Sequence, residues 1–175
     1  MPIKVNKVME RKSFKNILSI ILIAMMLLTI TSCGTAGKEV HESGMVIKLP
    51  KGFQRSTMEN ATWYYQGSDA VAMGIRTYKT DLEKEGLESD SVQDYAAAYI
   101  KANSVPGDPE IQTSDKYIYF EYNAKVSGID YSYLTCIYDH DDTYWLVNFA
   151  CYKQAYQESR SDFFKWADSV EFENE

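Results

Sequence analysis

The chain has 175 residues, 45% hydrophobic and 25% charged, with 18 basic against 25 acidic side chains and a formal net charge of −7. That length makes one domain once an export segment is removed, enough to bury a core without help from metal or disulfides. The acidic balance argues against nucleic acid as a partner.

The chain begins with an address. Lys4, Lys7, Arg11, Lys12 and Lys15 stand against a single Glu10, and Ile17 to Ile30 then runs fourteen residues without a charge. This is a basic n-region followed by an apolar h-region. A spanning helix takes ~20 apolar residues, so the run reads as an export signal rather than a permanent anchor. It closes on Ile30-Thr31-Ser32-Cys33, followed by Gly34-Thr35, and this closure resembles a bacterial lipobox. The resemblance implies that residues 1–32 are removed and that the Cys33 thiol carries diacylglycerol, with acyl chains such as palmitate. The alternative is an ordinary signal peptide cut near a cysteine. Each buried methylene adds ~0.8 kcal/mol and stable attachment takes two chains, which a diacylated cysteine supplies. The mature chain, 33–175, keeps 13 basic and 24 acidic side chains, a charge of −11. Anionic lipid headgroups repel such a body, so the expected membrane contact is the lipid on Cys33 and not the domain itself. The expected location is extracytoplasmic, lipid-anchored to the cell membrane of a bacterium.

Residues 33–44 are polar, contain small residues and lack periodicity, and read as a lipidated flexible tether before a domain over 45–175. Met45 to Leu49 alternates and stops at Pro50-Lys51-Gly52-Phe53, a short strand with Met45, Ile47 and Leu49 inward. Thr62 to Tyr65 and Ala70 to Lys79 read as a hairpin around the polar turn Gln66 to Asp69. The acidic stretch Thr80 to Asp90 reads as a solvated connection. Ser91 with Asp94 three positions on makes a capping-box-like start, and Val92, Tyr95, Ala96, Tyr99 and Ile100 follow at helical spacing. Ser104 to Pro109 ends that helix.

Ile118 to Ala124, Leu134 to Tyr138 and Trp145 to Cys151 alternate as three meander strands. For the apolar sets of the last two to share a face, the turn at His140 to Thr143 must be even, pairing 136 with 147, 134 with 149 and 132 with 151. Cys136 and Cys151 then lie four residues apart along one face, ~13 Å, beyond the reach of a disulfide. Two reduced, buried cysteines are expected. The same parity argument for Phe120 and Cys136 asks for an odd loop, Ser127-Gly128-Ile129. A second helix follows over Tyr156 to Asp168 with Tyr156, Phe163, Phe164 and Ala167 inward, then a terminal strand over Val170 to Phe172. Strands and helices do not alternate, so the expected class is α+β, a single antiparallel sheet flanked by two main helices.

Gly44 to Phe53, Trp145 to Cys151, and Phe163 to Val170 resemble the small bacterial lipoproteins of the PsbP-like fold, the family that includes the extrinsic oxygen-evolving subunit of photosystem II. The resemblance covers most of residues 44 to 173 and rests on packing motifs. It implies an antiparallel sheet between helices, used as a binding or assembly module, and it carries no functional residue to this chain.

Chemistry is sparse. No Gly-x-Ser-x-Gly elbow is present, no cofactor motif emerges, and no catalytic constellation supports an enzyme. Two clusters stand out. Asp139, His140, Asp141 and Asp142 bring carboxylates and an imidazole together, ligand types that suit calcium or zinc, against the plainer reading of a solvated hairpin tip. Tyr131, Tyr133, Tyr144 and Tyr152, with Tyr117 and Tyr119, point away from the expected core face. They form either a partner-binding surface or packing beneath a helix. The expectation is therefore a non-catalytic binding or assembly module of the cell envelope with a protein partner. The alternative is a metal-binding or metal-dependent envelope protein using the acidic tip.

Overall fold

The computed structural model describes residues 37–84 and 91–173. The export segment and Cys33, and Glu85, Glu88 and Asp90 of the acidic connection, lie outside the described residues.

Among the described residues, ten strands form two antiparallel sheets rather than the expected one. β1 (Lys38–Glu42), β2 (Met45–Leu49) and β10 (Glu171–Phe172) make a three-stranded sheet in the order β1-β2-β10. The large sheet runs β3-β4-β5-β9-β8-β7-β6. Its strands are β3 (Gln54–Ser56), β4 (Trp63–Gln66), β5 (Ala70–Tyr78), β6 (Gln112–Thr113), β7 (Ile118–Val126), β8 (Ile129–His140) and β9 (Thr143–Tyr152). Among the described residues three α-helices accompany them: α1 (Lys79–Lys84), α2 (Val92–Ala102) and α3 (Tyr156–Asp168).

The split into two sheets has a packing cause. Met45, Ile47 and Leu49 are fully buried, as their alternation requires, but they pack face to face on the large sheet with Trp145, Val147 and Phe149 instead of extending its edge. α3 shares that layer through Tyr156, Phe163 and Ala167. On the opposite face α2 lays Tyr95, Ala96 and Tyr99 over Phe120, Tyr133 and Tyr144. The large sheet is the middle of three layers.

Part of the stretch read as a tether is a strand. Lys38–Glu42 pairs with Met45–Leu49 across Ser43-Gly44, whose φ values are 53° and 86°. Its polar sequence hid the strand because only Val40 and Glu42 turn inward. The acidic connection also begins as a helix, α1, anchored by the buried Leu82. Ser91 caps α2 as expected, accepting the Asp94 amide N–H at 3.1 Å.

The β8–β9 register is the one expected: Cys136 opposite Val147, Leu134 opposite Phe149 and Ser132 opposite Cys151. Both cysteines are free and buried. The β7–β8 register is not. Val126 pairs with Ile129 around the two-residue turn Ser127-Gly128, so Phe120 lies opposite Thr135 and Tyr119 opposite Cys136. Ser127 at φ 50° and Gly128 at φ 87° fit a turn that needs two left-handed residues. A one-residue change of loop length exchanges the faces of a whole strand. Phe120 therefore belongs to the α2 side, while Tyr117 and Tyr119 belong to the α3 side.

Candidate functional site

Of the two readings of the tyrosine face, partner surface or packing beneath a helix, the burial favours packing. Tyr131, Tyr133 and Tyr144 are each 2% exposed. Tyr144 stacks on Tyr95 of α2 at 4.7 Å, Tyr133 on Tyr122 at 4.7 Å, and Tyr131 on Tyr152 at 5.2 Å. Tyr152 keeps partial exposure, as does Tyr119 on the opposite, α3 side. The rings form packing beneath α2, because one side of a central sheet layer must be covered as fully as the other.

At the acidic tip the side chains of Asp139, His140, Asp141 and Asp142 do not converge. Asp139 and the Asp141 carbonyl both bind the Lys79 ammonium, at 2.6 and 2.7 Å. The Lys79 amide donates to the Asp142 carbonyl at 2.8 Å. The His140 ring stacks on Phe172 of β10 at 4.3 Å and 11°, with Asp141 Oδ2 at 3.4 Å from its Nε2. Among the described residues, no three His, Cys, Asp or Glu side chains gather as metal ligands would. Lys79, from the start of α1, supplies the positive charge that the sequence cluster lacked.

Burial pushes the Cys136 thiol well above its ordinary range, with Asp168 and Glu121 adding to the effect. Burial raises Cys151 to about 11. Neither is a thiolate at neutral pH, so neither is placed for nucleophilic work.

Two carboxylates that the sequence did not single out tie the layers together. Glu42 of β1 accepts from Arg55 Nε and Nη2 at 2.7 and 3.1 Å and from the Tyr65 hydroxyl at 2.7 Å. Burial alone would raise its pKa, but the bonds from Arg55 and Tyr65 bring it below the usual carboxylate value. Glu121 of β7 accepts from Arg160 Nε and Nη2 at 2.9 and 2.7 Å and from the Tyr156 hydroxyl. The Arg160 hydrogen bonds hold Glu121 low. Each is a Tyr–Glu–Arg clamp across layers, the first joining the two sheets and the second joining α3 to the large sheet. The partners stand 13 to 39 residues apart in sequence, so spacing carried no sign of them.

A groove of about 560 Å³ opens on the α3 side, beginning at Gly37. Phe53 and Trp166 meet there edge to face at 5.2 Å. Lys51, Asp69, Asp162 and Lys165 line it, the last two paired at 2.8 Å. A Cβ on Gly67 would lie 2.6 Å from the Phe53 ring, so the glycine makes room for that aromatic. Aromatic rings with mixed charge around them suit a polypeptide surface. Both rings lie within the segments that carry the PsbP-like resemblance, but their proximity comes only from the docking of α3.

No family model matches the sequence, and no curated protein is similar to it in sequence. Solved structures share its fold. The solution structure of cyanobacterial PsbP (CyanoP) from Synechocystis matches 83% of this chain and 98% of its own, at 12% identity and a TM-score of 0.55. The Saccharomyces cerevisiae Ran-binding protein Mog1p matches 78% and 95%, at 8% identity and a TM-score of 0.52. A Bacteroides thetaiotaomicron structure matches 79% of this chain at 10% identity and a TM-score of 0.55, and the chain spans about half its length. The architecture is that of the PsbP and Mog1 structures.

Proposed function

We propose that the protein is a lipid-anchored, extracytoplasmic binding module that holds an envelope protein partner close to the membrane surface. The observation that carries this reading is the start of β1 at Lys38, only five residues after Cys33. A tether reaching to Met45 would extend ~40 Å, whereas five residues reach at most ~18 Å. The lipid on Cys33 would therefore keep the face bearing Gly37, the small sheet and α3 beside the bilayer. The groove with Phe53 and Trp166 opens on that face. Its aromatic rings suit a polypeptide surface at the membrane, while the body charge of −11 disfavours direct insertion among anionic lipids. The PsbP-like architecture, used in that family as a binding or assembly module, is consistent with this reading.

Two measurements test it. Mass spectrometry of the N-terminal peptide reads diacylglycerol on Cys33, and Cys33→Ala should shift the chain from the membrane fraction to the soluble one. An unchanged membrane fraction refutes the anchor. A photo-cross-linking residue at Lys51 should capture one defined partner that a probe at Asp141, at the acidic tip, does not. Equal capture from both positions refutes the groove as the docking site.

A further inference from the structure

β7 is a long strand with a short neighbour. β6 covers only Ile118 and Tyr119, through Thr113 and Gln112, and among the described residues no other backbone hydrogen bond reaches Phe120–Val126 from the outer side. α2 and α3 cross the neighbouring β8, and Tyr156 and Arg160 of α3 reach Glu121 on the α3 face of β7 while leaving its outward backbone groups open. Unpaired edges of this length are templates for another strand.

The pattern of free groups can be worked out. The Ser127-Gly128 turn makes Val126 and Ile129 a closing pair that exchanges both backbone hydrogen bonds. Val126, Ala124, Tyr122 and Phe120 therefore turn their N–H and C=O groups toward β8. Glu121, Asn123 and Lys125 turn theirs outward. Asn123 and Lys125 are exposed and Glu121 is half-buried. All three side chains project on the α3 face, opposite Leu134, Ser132 and Asp130 of β8.

This edge is complementary to itself. In an antiparallel pairing centred on Asn123, the outward groups of Asn123 meet those of Asn123 in the second copy, and Glu121 meets Lys125 in both halves. The pairing forms about six backbone hydrogen bonds, sets Glu121, held in its own chain by Arg160 and Tyr156, across from Lys125, held in its own chain by Asp130 at 3.2 Å, so that charges of alternating sign run across the joint, and matches Phe120 with Val126 and Tyr122 with Ala124 on the other face. Its twofold axis runs normal to the sheet. The two small sheets then lie on one side of the pair, as both anchors in one membrane would require, a point that rests on the lipid-anchor reading.

We infer that two copies of the chain join along β7, antiparallel about Asn123, so that one sheet continues across the pair. The test is disulfide trapping of the full chain in its membrane. Paired Cα atoms at Asn123 would stand ~5.5 Å apart, within disulfide range, whereas the two Lys125 positions would lie ~14 Å apart. Asn123→Cys should give a cross-linked homodimer on oxidation, while Lys125→Cys and the unsubstituted chain give none. Absence of that dimer, equal dimer from both cysteine variants, or an adduct of Asn123→Cys with a different protein overturns the inference. A second measurement covers a failure to fold. Asn123→Pro removes an outward N–H and the acceptor of the Ser132 hydroxyl, so the detergent-solubilised variant should melt somewhat lower than the unsubstituted chain but still cooperatively, and sediment as a monomer where that chain is a dimer. A persistent dimer, or a monomer for both, refutes the pairing. The joint is separable from the anchor, because trapping at Asn123 should survive Cys33→Ala whether or not the chain leaves the membrane.

Discussion

Replacing Tyr144 with alanine separates a core ring from a partner-facing ring. Tyr144 is 2% exposed, lies 4.7 Å from Tyr95 at an interplanar angle of 20°, and carries Lys79 Nζ 4.9 Å from its ring centroid. A tyrosine buries ~200 Å², and at ~25 cal/mol per Å² its removal forfeits about 4 to 5 kcal/mol. The retained Cβ lowers the loss and the cavity raises it, so the expected cost is ~3–5 kcal/mol. The stacked Tyr95 also loses its support, which loosens α2 on the sheet. Equilibrium urea unfolding of the mature chain, followed by tryptophan fluorescence, reads the loss as a lower midpoint at unchanged slope. Tyr78→Ala is the control. Tyr78 is 37% exposed with Arg76 5.0 Å from its ring centroid, and its loss should cost only about 0.5–1 kcal/mol. A cost below ~0.5 kcal/mol for Tyr144→Ala, the range of exposed substitutions, would refute the burial of this face and return the ring to a binding role.

Three further outcomes follow from other parts of the fold. Gly74→Ala would place a Cβ 2.2 Å from the Trp63 indole; the overpacking should cost ~1–3 kcal/mol and lower the melting temperature, and unchanged melting would place Trp63 elsewhere. Glu121 is held below its ordinary pKa by Arg160, so its contribution is present above the unfolded carboxylate value of ~4.3 and is lost as pH falls through the lower folded value. Arg160→Gln should cost about 1 kcal/mol near neutrality after allowance for solvent screening and flatten the acid limb of the stability curve; an unaltered acid limb refutes the clamp. Cys136 and Cys151, buried as thiols, should resist a thiol reagent in the native state and react, two per lipidated chain, on unfolding. Rapid reaction of either in the native state contradicts the packing.

The parts legible in the sequence were those with a strong local signal. The Ser91 cap with its i, i+3, i+4 stripe defined α2, and the even turn at His140 to Thr143 placed Cys136 and Cys151 on one face but out of reach of each other. The Tyr156–Asp168 helix followed from its own periodicity. β1 was hidden because its residues are mostly polar, and β7 was assigned to the wrong face. The acidic tip kept a metal site open as an alternative because Lys79, which pairs with Asp139, stands sixty residues upstream of it. The groove needed Phe53 and Trp166, which only the docking of α3 brings together.

The sequence by itself determined where most strands and helices begin and end, which β8 and β9 residues face each other, and that the cysteines stay reduced. It did so through short-range rules: caps, period and turn parity. Only the tertiary structure decided that β2 packs across the large sheet instead of joining it, that α2 covers the tyrosines, and on which side Phe120 lies. The physical reason is that β8 and β9 are buried on both faces over most of their length. An alternation of apolar and polar residues marks one face against water, and a central layer has no such face. There the orientation of β7 was decided by the two left-handed residues of a turn, and the cover by α2 on one side and by α3 with the small sheet on the other.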